Sequence, residues 1–287
     1  LFYRKKEKCQ ILLLEIYPFY GKIMSKYETK PTIKISMKGE IKMFLYVWFF
    51  ILGTIVGSFF QLCMDRLPLG LDVIKGRSFC FRCFHPLQWK DLIPVMSFVL
   101  LKGRCRYCQR RISLRYPLFE ILSGLLLVFM VYYITPMGKA FLLYLLIMDF
   151  ITLTVIDKKW QIIPDFTLLL EAVLTIGLIF YIDVPFYERI IGMFIISLPM
   201  FLMNQWVIES FGGGDIKLMF ISGFLLGYVH ILLAFCIAVI VGGLYAWYLL
   251  IRRKAHRHSH IAFGGFLCLG ILVSLFYGEL ILSFCFL

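Results

Sequence analysis

The chain has 287 residues, 61% of them hydrophobic and only 16% charged, with a mean hydropathy of +0.86. Soluble domains run at roughly 45–50% apolar and about 25% charged, so this composition excludes an ordinary water-soluble fold. The net charge of +13 does not point to nucleic acid, because the Lys and Arg residues lie between apolar runs and so mark loops beside lipid.

Residues 1–42 differ from the rest of the chain. They carry ten of the thirty Lys and Arg residues without a sustained period. Purine-rich codons could encode Lys38-Gly-Glu-Ile-Lys42, as expected just upstream of a start at Met43. The expectation is therefore that 1–42 is translated upstream sequence or an unstructured extension; a basic arm or surface helix is the other reading.

The first long apolar run is Phe44–Cys63. A polar segment, Met64–Tyr116, comes next. Further apolar runs span Pro117–Ile134, Lys139–Ile156, Phe166–Ile182 and Ile190–Ile208. The stretch Ile216–Ile251 is too long for one crossing of about 20 residues, and Gly227-Tyr228 is the expected break. Ile261–Phe284 is the last run. These runs are continuous and lack the alternation of barrel strands. The fold class is thus an all-α polytopic membrane protein with about eight transmembrane segments.

Loop charge orients them. The segments 64–116, 157–165, 209–217 and 252–260 share one face and hold nearly all the loop Lys and Arg of the membrane part. The opposite face has only Lys139 and Arg189 near it. The positive-inside rule puts the first set in the cytoplasm.

One of those cytoplasmic segments contains Cys80-Phe-Arg-Cys83 and Cys105-Arg-Tyr-Cys108. Two C-x-x-C pairs, twenty-one residues apart, suit tetrahedral zinc, each pair forming a knuckle. Two disulfides are the alternative, and a reducing compartment disfavours them. With four protein ligands the metal would be structural. His85 is read as a polar loop residue.

Two aspartates stand at matching membrane depth. Asp157 closes an apolar run in Thr154-Val-Ile-Asp157. Asp215 comes after the glycine triplet Gly212-Gly213-Gly214 and opens another, with Lys217 two residues on. Glycines permit positive φ and close backbone approach, and an ionisable residue at the lipid boundary is a functional candidate. Two nearby carboxylates share a proton, one acting as base toward water and the other as acid toward the carbonyl. Helix ends suggest Asp215 as the base, at a positive N-terminus, and Asp157 as the acid, at a negative C-terminus. Asp165 comes after Pro164, where it can cap a helix in a supporting role. Asp149 and Glu171 lie deeper and are not assigned to catalysis. Lys217 is read as an interfacial anchor.

From Met43 to the end, the chain resembles the bacterial type IV prepilin peptidase family. The resemblance rests on Gly57-Ser-Phe59 with Arg66-Leu-Pro68, both C-x-x-C pairs, and Arg115-Tyr-Pro117-Leu-Phe-Glu120. It continues through Ile156-Asp157, Ile163-Pro164-Asp165, Gly212-Gly-Gly-Asp215 with Lys217, and Phe263-Gly264. It implies a membrane aspartic endopeptidase with Asp157 and Asp215 catalytic. The implied partners are membrane lipid and a prepilin or pseudopilin, whose basic leader is cut after a glycine on the cytoplasmic side of its apolar helix. It also implies N-methylation of the new terminus with S-adenosylmethionine, associated with the first span and the cysteine loop. Residues 43–134 would form that part, and 135–287 the peptidase region. The family's Gly-Ser-Phe-Leu-Asn reads Gly57-Ser-Phe-Phe-Gln61 here, an amide one methylene longer. Its last-span motif carries Ala262 and Gly265 where prolines are usual. A peptidase without methylation, and a proton-coupled transporter or assembly scaffold using its intramembrane acids, are the competing readings.

Overall fold

The computed structural model describes residues 39–73, 76–80, 82–206, 211–252 and 262–285. Residues 1–38, the bulk of the expected extension, lie outside them. The chain divides into Leu1–Leu45, described only as the start of α1, and Tyr46–Leu287, which holds the membrane bundle and the cysteine module.

Among the described residues there are nine α-helices. α1 is Gly39–Arg66, α2 the short Met96–Leu100, α3 Arg115–Tyr133 and α4 Met137–Trp160. α5 is Asp165–Leu178, α6 Phe186–Trp206, α7 Gly213–Leu226, α8 Tyr228–Ile251 and α9 Gly264–Cys285. Prolines, which lack an N–H to donate, stand at two of the starts: Pro136 precedes α4 and Pro164 precedes α5. Gly227, at φ 78° and ψ 173°, separates α7 from α8 in a conformation open to glycine, at the break expected from length.

Eight of these helices are apolar, and six of the eight (α1, α3, α4, α6, α8 and α9) are long enough to cross a membrane. The other two, α5 and α7, have 14 residues each. At 1.5 Å per residue that is about 21 Å, short of a hydrocarbon core of about 30 Å. The expected span Phe166–Ile182 is thus a short helix ending in a 3₁₀ turn, Ile179–Tyr181.

α4 is the axis of the bundle. It packs against α3, α5 and α9, and its residues enter both apolar cores. Leu146, Phe150 and Leu153 join Leu218, Met219 and Ile271 on one side. Tyr144 and Met148 join Phe60 and Leu127 on the other. In lipid, helices gain little from hiding apolar surface from water, so close packing and hydrogen bonds decide which ones touch. The α6–α7 pair shows both. Gly192 and Gly223 face each other so closely that a methyl group on either would collide with the other's backbone. Beside them the Arg189 guanidinium donates to the carbonyls of Phe224 and Leu225, at 3.1 and 3.2 Å, and of Ile182 at 2.6 Å. Arg189, expected from the sequence to be a loop charge, is a buried clamp on the end of α7.

Gly223→Ala should therefore force α6 and α7 apart and cost about 1–3 kcal/mol, read as a lower unfolding temperature in detergent. Gly243→Ala, whose methyl would meet nothing within 4 Å, should not lower it. Equal behaviour of the two variants would contradict this packing.

Candidate active site

The last turn of α4 and the first turns of α5, α7 and α9 meet at one end of the bundle. Asp157 reaches this point from α4 and Asp215 from α7, and both are buried, with relative exposures of 5% and 9%. The Gly265 amide in α9 donates to Asp157 Oδ2 at 3.2 Å, and the Gly212 amide hydrogen-bonds to Asp215. Asp215 Oδ1 is buried without a partner among the described residues.

Gly264 fixes how close the two acids stand. A Cβ placed on it would lie 2.9 Å from Asp157 Oδ2 and 3.2 Å from Asp215 Oδ1. Two oxygens so near a common point border the same small space, and a bridging water needs legs of about 2.8 Å to each. The residues predicted from far-apart segments therefore converge, on a glycine that no role had been assigned to. A bound water there would have two carboxylates as neighbours, the arrangement that acid–base hydrolysis needs.

The glycine triplet acts by absence of side chains. None of its members has positive φ; among the described glycines that conformation falls at Gly70, Gly76, Gly103 and Gly227. Gly214 lets α7 approach Ile163, since a Cβ would sit 2.6 Å from the Ile163 Cβ. Gly212 lies beneath the Asp215 carboxylate, and Gly213 faces open space. Entry into the triplet is held by Asn204 of α6, which clasps both the N–H and the carbonyl of Phe211 at 2.8 Å. Sequence reasoning missed Asn204, and it gave Ile163 only as part of the resemblance and Gly265 only as a departure from it, since none carries reactive chemistry of its own.

Asp165 is the first residue of α5, and that helix has no side-chain cap. Its carboxylate meets Lys217 Nζ at 2.7 Å instead, tying the first turns of α5 and α7 together. Both side chains are largely exposed, so the pair contributes about 0–1 kcal/mol. Asp149 and Glu171 lie away from this end, fully buried, with Ser222 donating to Glu171 Oε1.

The four cysteines also converge, their Sγ atoms all within 4.8 Å of one another. Tetrahedral zinc with bonds near 2.3 Å needs sulfurs roughly 3.8 Å apart, so the set fits. Each pair sits in the same turn. The amide of Cys80 donates to the His85 carbonyl and that of Phe84 to the Cys80 carbonyl; Cys105, Arg110 and Gln109 repeat the pattern. Phe84 and Gln109 occupy the same left-handed position, at φ 56° and 58°. Burial works against a Cys80 thiolate, yet amides of Arg82 and Cys83 outweigh it and bring the thiol down to about 7. For Cys83 the His85 amide favours charge, but burial and the neighbouring sulfurs prevail and push it up to about 11. His85 turns its ring to Tyr107, 3.7 Å between centroids, and stands outside the group of four cysteines that could hold a metal ion.

Two family models match this chain. Residues 51–134 match the Bacterial Peptidase A24 N-terminal domain, and residues 140–247 match the Type IV leader peptidase family. A prepilin leader peptidase/N-methyltransferase of Bacillus subtilis is 30% identical over 237 residues, covering 82% of this chain and 95% of the relative. Its namesake in Klebsiella pneumoniae is 35% identical over 198 residues, 62% of this chain and 84% of the relative. Another in Aeromonas salmonicida is 28% identical over 282 residues, 86% and 96% of the two chains. No solved structure matches. The chain belongs to the type IV leader peptidase family, as a multi-pass membrane peptidase.

Proposed function

We propose that the chain is an aspartic endopeptidase of the bacterial inner membrane. It removes the basic leader of a prepilin-like protein after a glycine, on the cytoplasmic side of the substrate's apolar helix. The observation that carries this is the convergence of Asp157 Oδ2 and Asp215 Oδ1 on Gly264. Loop charge supports a cytoplasmic position for the pair.

One carboxylate takes a proton from water as the water oxygen attacks the peptide carbonyl carbon. The other, protonated, gives its proton to the carbonyl oxygen. As the tetrahedral species collapses the C–N bond breaks, its electron pair stays on nitrogen, and the amine takes up a proton from the dyad. Dipole direction no longer separates the two roles. α7 presents its N-terminus to Asp215, but α9 presents its own to Asp157 through the Gly265 amide. The pair acts as a unit.

After cleavage the new N-terminus is methylated with S-adenosylmethionine. The names of the relatives support this second step, which we assign to residues 43–134, with 135–287 forming the peptidase region. Cys80, Cys83, Cys105 and Cys108 hold a structural zinc ion: four ligands leave no open position for water, and thiolate ligation suits a reducing compartment.

Co-expression with a prepilin tests the peptidase. Asp157→Asn and Asp215→Asn keep the shape of each side chain and should each reduce leader removal about 10³-fold or more, read as uncut prepilin by immunoblot. Efficient cutting by either variant, or none by the wild type, would contradict the reading. Gly264→Ala puts a methyl group between the carboxylates and should slow cleavage about 10²-fold with the unfolding temperature nearly kept. Wild-type cleavage by that variant would show that Gly264 does not set the spacing of the acids.

A further inference from the structure

The connection between the two C-x-x-C pairs holds an apolar stretch that metal binding does not use. Residues 92–101, Leu-Ile-Pro-Val-Met-Ser-Phe-Val-Leu-Leu, carry no charge, although residues 64–116 hold eleven Lys and Arg against three Asp. Ten residues are too few to cross a membrane. The stretch contains α2, which has large apolar side chains on both its sides. Ser97, Phe98 and Leu101 turn inward and line a cavity of about 390 Å³ against α1 and α3. Met96, Val99 and Leu100 face away from the protein, 57%, 63% and 72% exposed, with Leu92 and Ile93 exposed just before them. Spacings of three and four residues put the first three on one stripe. A helix apolar all round is normally buried all round. Here the protein covers one side.

The position of α2 indicates what covers the other. Val95 enters it at φ 61°, a rare conformation for a β-branched residue, and its amide donates to Glu120 Oε2 at 2.7 Å. Glu120 lies five residues into α3, a helix long enough to cross a membrane, or about 7.5 Å along its axis. α2 is therefore pinned beside the first turns of a spanning helix, where hydrocarbon meets headgroups. Its flanks are basic. Lys90 precedes the stripe, Lys102 and Arg104 follow it, and all three are exposed. Asp91, the acid of this region, is turned inward and held by Arg106 at 2.7 Å. The exposed Trp89 ring lies under the Lys90 ammonium, 5.5 Å from ring centre to nitrogen. Tryptophan and lysine are the usual side chains of a membrane–water boundary.

We infer that the outer face of α2 docks into the adjoining lipid leaflet, and that the patch around it fits an anionic lipid surface. Met96, Val99 and Leu100 enter the boundary between headgroups and acyl chains, as the apolar face of an interfacial helix does. Lys90, Lys102 and Arg104 then meet lipid phosphates, and a surface of net negative charge holds them best. Zwitterionic lipid satisfies the apolar stripe alone, so charge is what selects among lipids. Such docking needs the membrane bundle but neither cleavage nor methylation. Since α2 lies between the two knuckles, the contact also orients the cysteine module against the bilayer.

The test uses purified full-length protein in nanodiscs of phosphatidylcholine, with and without phosphatidylglycerol. A photoreactive p-benzoylphenylalanine placed at position 100 should form phospholipid adducts, read by peptide mass spectrometry, and about threefold more of them with phosphatidylglycerol. The same group at the exposed position 109 should form few. High salt should remove the preference for phosphatidylglycerol and leave the adducts at 100. Leu100→Glu, at an exposed site, should keep the unfolding temperature in detergent and lose the extra stability that phosphatidylglycerol gives the wild type. Adducts at 100 with a second copy of the chain, or with a co-expressed prepilin, in place of lipid would overturn the docking. So would equal lipid labelling at 100 and 109. Labelling indifferent to phosphatidylglycerol would overturn the anionic character of the surface.

Discussion

Two carboxylates confined to the space of one small group, at the end of a lipid-embedded bundle, set the terms for the rest of this chain. Held apart in water they would be ordinary surface charges. Packed beside each other, neither can ionise without regard to the other. The bundle supplies the confinement. α4 carries one acid and touches α3, α5 and α9, while α7 carries the other and is fixed by the Arg189 clamp and its glycine contact with α6. Where the helices come closest to the acids the side chains vanish: Gly214 against Ile163, and Gly264 between the carboxylates.

The cysteine module answers a different problem. Among the described residues of the loop between α1 and α3, Cys105 is the one fully buried apolar side chain, and four sulfurs placed to hold one metal ion can stand in for the missing core. The two knuckles fold alike, down to a left-handed residue directly after the second cysteine of each. The module then serves as one wall of a cavity against α1 and α3.

Much of this was legible in the sequence, for reasons that differ by element. Apolar run length gave eight apolar helices and the break at Gly227, because lipid leaves backbone polar groups no partner outside the helix; of the eight crossings expected, six of the described helices are long enough to be one. It did not give the lengths of α5 and α7, since a run such as Phe166–Ile182 reads the same whether its last turn is helix or 3₁₀. Asp157 and Asp215 were found because charge at the lipid boundary is rare, and the cysteines because their spacing is specific. Gly264 as the spacer, Asn204 as the clasp on Phe211 and the Gly265 amide were not found as parts of the site. Their roles exist only once distant helices meet, and nothing in their own chemistry announces it. Arg189 misled for a related reason: a charge near a helix end reads as solvated until its carbonyl partners are known. The expected dipole difference between the two aspartates failed on α9, whose approach to Asp157 is a tertiary fact.

Residues 157 and 215 must face one another across a gap that one water can bridge. The most direct measurement replaces both by cysteine and treats membranes with a one-carbon bis-thiosulfonate reagent, with peptide mass spectrometry as the readout. A gap of that width predicts a bridged pair linking the end of α4 to the start of α7. Two thiols that each react singly with the reagent, and never become joined, would contradict it.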